Sequence, residues 1–138
     1  VAAVVECLPA GTPADRVAVY EVPTDAREAD LEAAGAILAT AFSRVFVCDA
    51  SGPAEPAGGS ARTGLCRGLA SGGNGVEIVE LADPRTAIDA ALDRVGPGGT
   101  VLARVGDRQI RDAARERVLG RTSKATKATA DGDSHRWK

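Results

Sequence analysis

The chain has 138 residues, enough for one ordinary domain with a self-sufficient core and too few for two. A formal charge of -2 with 26% charged residues gives no electrostatic reason to expect nucleic acid or an acidic membrane as partner. No apolar run approaches the roughly 20 residues that cross a bilayer, and no basic segment precedes an apolar one at the N-terminus, so the cytoplasm is the default expectation.

Aromatic side chains are limited to Tyr20, Phe42, Phe46 and Trp137, so the core must come from small aliphatics, which suits close packing of helices on a sheet. Cys7, Cys48 and Cys66 are odd in number and widely spaced, without a CxxC pair, which argues against a disulfide framework or a zinc site. Cys48 lies inside an apolar run and is expected to be a small buried hydrophobe.

Residues 1–8, VAAVVECL, have the apolar density of a helix, ended by Pro9 and Gly11. A helix opening on Val1 with no N-cap is what a fragment would show. A strand is predicted over 16–22, followed by Pro23-Thr24-Asp25 and a helix over 29–42, with Leu31, Ala34, Ile37, Leu38, Ala41 and Phe42 at three-and-four spacing. The continuous run RVFVCD, 44–49, reads as a strand buried on both faces. Breaker residues over 51–60 make a loop, a weaker helix covers 61–69, and a Gly-rich turn spans 71–75.

A strand over 76–81 leads to Asp83-Pro84, a capping residue followed by proline at the first helical position. The helix over 85–95 carries Ala87, Ile88, Ala91, Leu92 and Val95 on one side. A turn at 96–99, a strand over 100–105 and a helical pattern over 108–119 complete a domain of residues 1–120, while the composition of 121–138 predicts a disordered polar tail. Alternating strands and helices predict a three-layer, Rossmann-like α/β domain with a mostly parallel sheet, helices on both faces and right-handed crossovers.

No G-x-x-x-x-G-K-[ST] loop and no G-x-G-x-x-G turn is present, and the single histidine, His135, lies in the polar tail. Catalytic triads and histidine metal sites are therefore not expected. Gly58-Gly59-Ser60 ahead of a helix has two readings, an anion-binding turn and, more plainly, a loop with a helix cap. The junction VYEVPTDAREADL, 19–31, also has two: Asp25 with Glu28 as a capping box, Arg27 projecting from the first turn, or a ligand site at the carboxyl end of a strand.

Residues 16–31, with Val22-Pro23-x-Asp25-x-Arg27 and Glu28-x-Asp30-Leu31, resemble the C-terminal domain of Mur ligases, most closely the cyanophycin synthetase branch. The similarity continues through 36–47, 76–81, 86–92 and Gly96-Pro97-Gly98-Gly99-Thr100-Val101-Leu102, in order and at the right spacing. The resemblance implies the substrate-binding, closing domain of an ATP-dependent acid–amino acid ligase, which activates a carboxylate as an acyl phosphate for attack by an amine. It implies Asp25, Arg27 and Asp30 as substrate-binding residues at an interdomain cleft, with Thr24 and Ser60 beside them. It assigns ATP and magnesium to a parent ligase, implies a central ATP-binding domain in the same or a neighbouring chain as partner, and an amino acid or peptide as substrate.

Nothing in the chain resembles that central domain, so no catalytic residue and no activity are expected of this chain alone. Ala26 stands where the family has the first of two arginines, the loop over 54–60 lacks the family's arginines, Ser60 replaces its glutamate, and Gly99 replaces its aspartate. Two alternatives stay open: a non-catalytic binding or interaction module of the same fold, and an unrelated small α/β domain sharing only the fold's grammar.

Overall fold

A computed structural model describes residues 2–9, 11–23, 25–49, 59–72 and 75–120. The expectations for Thr24, for most of the loop over 51–60 and for the tail over 121–138, including His135, lie outside the described residues. The elements are α1 (Ala2–Glu6), a 3-10 turn (Pro13–Asp15), β1 (Arg16–Val22), α2 (Glu28–Ala41), β2 (Arg44–Asp49), α3 (Gly59–Ser71), β3 (Glu77–Glu80), α4 (Pro84–Arg94) and β4 (Thr100–Arg104). All belong to the unit Val1–Gly106; in the second unit, Asp107–Lys138, the described residues form a helix over 108–120. Asp107 begins it as a cap, its Oδ1 accepting the N–H groups of Gln109 at 2.8 Å and Ile110 at 3.3 Å. Among the described residues no helix is long and apolar enough to cross a membrane.

The four strands are parallel in the order β3-β2-β1-β4, with Val19 opposite Phe46 on one side and Ala103 on the other. Strand alternation sorts the buried residues into two layers. Ala18, Tyr20, Val22, Val45 and Val47 face α2 and α3, packing with Leu31, Leu38, Phe42, Leu65 and Leu69. Val17, Val19, Phe46 and Cys48 point to the opposite face, where α4 packs on β1 and β2 with Ala87, Ile88, Ala91 and Leu92 buried. Two crossovers run from β1 toward β3 and the third returns past β1 to β4, so right-handed connections place α2 and α3 on one face and α4 on the other. The expected three-layer fold is the one observed, with every described strand parallel.

One expected detail is overturned. Asp25 does not cap α2: it lies in the turn closed by the Ala26 N–H to the Pro23 carbonyl at 3.4 Å, and the N-cap is Arg27, with no side-chain cap bond. Arg27 has extended backbone, φ -87° and ψ 139°, and its carbonyl accepts the first helical N–H from Leu31 at 3.1 Å. The helix thus starts two residues later than a box of Asp25 with Glu28 requires. The cap expected on α4 does form, Asp83 accepting the Thr86 N–H at 2.9 Å and its hydroxyl at 2.7 Å. The Gly at 99 also acquires a reason, since a Cβ there would stand 2.9 Å from the Asp15 carbonyl oxygen.

Candidate functional site

In a doubly wound parallel sheet, ligands bind outside the carboxyl ends of the strands where strand order reverses, because the chains leaving two adjacent strands there diverge to opposite faces and leave a crevice. In this sheet the reversal falls between β1 and β4. An open cleft of about 450 Å³ lies at that place, lined by Tyr20, Pro23, Asp25, Ala26, Arg27, Asp30, Leu31, Ala34 and Arg104. The junction after β1 supplies one wall, the first two turns of α2 another, and the end of β4 the third.

Three residues singled out in the sequence, Asp25, Arg27 and Asp30, therefore meet in one cleft, all of them exposed. Of the other two, Ser60 falls in the first turn of α3 and Thr24 lies outside the described residues. Among the described residues neither Arg27 nor Arg104 makes an ion pair with Asp25 or Asp30, although all four line the cleft. Both signs of charge are thus presented to solvent within one concavity, the property needed to hold a zwitterion.

Tyr20, Glu21 and Arg104 were not read as site residues from the sequence. The Arg104 guanidinium lies over the Tyr20 ring, 5.1 Å from its centroid, and its Nη1 donates to the Glu21 carbonyl at 3.2 Å. Burial raises the Tyr20 phenol above its ordinary pKa, and the Arg104 charge partly offsets this. Glu21, only 7% exposed, accepts the Gly106 N–H at 3.1 Å and so ties the chain leaving β4 to β1. A glutamate inside the apolar run AVYEV was the legible signal here; that β4 is the neighbour of β1 was not.

A second polar group sits further along the same sheet end. Arg62 of α3 pairs with Asp49 at 2.9 Å and with Glu80 at 2.9 Å, and donates to the Val47 carbonyl at 3.3 Å, so it clamps α3 over the ends of β2 and β3. Cys48 beside it is fully buried, and burial, then the Glu21 and Asp49 charges, push its thiol up to about 12. The ion pairs join α3 to the sheet end and serve packing, although Asp49 Oδ1 and Arg62 Nε are buried without a hydrogen-bond partner among the described residues. Among the described residues no three His, Cys, Asp or Glu side chains are placed to hold a metal ion, and the chain has no phosphate-loop sequence. The described residues thus supply neither the phosphate loop nor the metal-ligand cluster that ATP and magnesium need.

The architecture and the cleft define a Rossmann-like α/β domain with a mixed-charge recess at its switch point. No protein-family model matches the chain, and no curated protein matches it.

Proposed function

We propose that the chain is the substrate-binding domain of an ATP-dependent acid–amino acid ligase of the Mur and cyanophycin synthetase type, acting with a separate ATP-binding domain. The supporting observation is the convergence of Asp25, Arg27 and Asp30 on one open cleft at the β1/β4 switch point. In this reading the cleft orients the incoming amino acid, with its ammonium near the aspartates and its carboxylate near the arginines, while the partner domain carries the phosphates and the metal. Positioning of this kind supplies much of the rate in a two-substrate condensation.

The test is phosphate release that depends on an added amino acid, measured with this chain joined to the ATP-binding domain its gene or a neighbouring gene encodes. Arg27→Ala raises the KM for the amino acid about tenfold, the size of a lost charge-assisted hydrogen bond, without abolishing ATP binding. A coding sequence with no phosphate-loop domain ahead of Val1 or close by refutes the ligase assignment. The chain by itself hydrolyses no ATP; magnesium-dependent turnover that survives stringent purification would contradict this reading.

A further inference from the structure

We infer that Arg104 is the carboxylate-recognising residue of the cleft; this deepens the amino-acid reading above, on which it rests. Register places Arg104 directly opposite Tyr20, at the carboxyl end of the strand that flanks the switch point. Two contacts hold its head group: the Tyr20 ring, its centroid 5.1 Å from Cζ, and the Glu21 carbonyl on Nη1 at 3.2 Å. A guanidinium placed over a ring with one donor used still offers a planar fork of further N–H groups, the geometry that matches the two oxygens of a carboxylate.

Pairing elsewhere in the domain sharpens the point. Arg44 is bound to Glu77, Arg62 to Asp49 and Glu80, and Arg67 to Glu28 and Glu32, whereas the two cleft arginines, Arg27 and Arg104, have no carboxylate partner among the described residues, and of these two it is Arg104 whose head group is anchored. Asp25 and Asp30 line the same cleft and leave it unpaired. Their charges disfavour a multivalent anion such as phosphate, while a carboxylate that carries its own ammonium group meets attraction at both ends. The ligand selected is a free α-amino acid or the zwitterionic end of one, bound by its carboxylate to Arg104.

The full chain, labelled with nitrogen-15, is titrated with L-alanine, acetate and L-alaninamide while the Gly106 amide and the Arg104 Nε–H resonances are followed. Gly106 reports because its N–H is held by the Glu21 side chain beside the Arg104 anchor. L-Alanine shifts both signals, acetate shifts them more weakly, and L-alaninamide leaves them in place. Arg104→Ala weakens L-alanine binding at least tenfold, Arg104→Lys restores only part of it, and Arg94→Ala, which removes the same charge at the other end of the sheet, changes nothing. Binding of L-alanine to Arg104→Ala within twofold of the parent overturns the role of Arg104 and leaves the amino-acid reading standing. Acetate binding at Arg104 as tightly as L-alanine preserves the carboxylate role and removes the amino-acid reading. Cleft resonances that respond to none of the three ligands overturn both.

Discussion

Asp25 and Asp83 have the same side chain and nearly the same sequence setting, after a strand and before a helix, and the structure gives them different work. Asp83 accepts two hydrogen bonds from Thr86, the backbone N–H first among the causes that hold its carboxyl below the usual range. Asp83→Ala is expected to cost about 1 kcal/mol in urea denaturation at neutral pH. Because the folded-state pKa is depressed, that contribution is present above the ordinary value of 3.8 and fades as pH falls through the folded value. Asp25→Ala, by contrast, is expected to stay within about 0.5 kcal/mol of the parent, since an exposed turn carboxylate that caps nothing has little to lose. A loss near that of Asp83→Ala would show that Asp25 caps α2 in solution. Cys48 acts in the opposite pH range. Its thiol is raised to about 12 in the folded chain, so the unfolded chain loses its proton first, and stability declines as pH rises from about 9 toward 12. Thermal melts across that range should fall more steeply for the parent than for Cys48→Ala. With a thiol reagent at pH 8, exposed Cys7 reacts at once, Cys66, itself raised by burial, reacts slowly, and Cys48 reacts only with unfolding.

At the scale of elements, the tightest contact is between α2 and α3. Gly35 of α2 and Gly64 and Gly68 of α3 bring the helix backbones together: a Cβ on Gly64 would lie 2.5 Å from the Glu28 carbonyl oxygen, and one on Gly68 would press into the Glu32 carbonyl. These glycines explain why α3 reads weakly in the sequence. Glycine lowers helix propensity by about 1 kcal/mol per residue, so pattern alone undersells a helix whose glycines are spent on close approach. Gly68→Ala sets that propensity gain against a clash with backbone, which cannot rotate away as a side-chain end can. The clash is expected to win, with a net loss of about 1 to 3 kcal/mol in the denaturation midpoint analysis. Exposed Gly96, with open space where its Cβ would be, serves as the control and should tolerate alanine. The failed capping box belongs to the same scale: Asp-x-x-Glu identifies a helix start from spacing, but the turn leaving β1 takes up two more residues before the backbone becomes helical.

At the scale of the whole molecule, element type was legible because apolar runs and three-and-four stripes are local, and β1 and β2 fall where the pattern put them. Strand order was not, because it depends on which way each crossover turns. That is why Asp25, Arg27 and Asp30 could be read from the junction while Arg104, 77 residues beyond Arg27, could not be joined to them. The order β3-β2-β1-β4 has a consequence open to measurement. β1 and β2 are bonded on both sides and carry the most deeply buried side chains, including Val19, Val45, Val47 and Cys48, whereas β3 and β4 are edges whose residues are partly or fully exposed. An edge strand can detach by breaking one ladder, while a central one is released only when helices on both faces also part. Native-state hydrogen exchange should therefore give the amides of 17–22 and 45–48 the free energy and denaturant dependence of global unfolding. Those of 77–80 and 101–104 should exchange through smaller openings with a shallower dependence. The amide of Gly106 distinguishes the switch point from an ordinary frayed end: held by the buried Glu21 carboxylate, it should be protected more than the neighbouring β4 edge amides, and Glu21→Gln should lower that protection. Protection at Gly106 no greater than in the helix over 108–120 would mean that Glu21 does not fix the exit of β4, and that the Arg104 anchor is looser than its geometry indicates.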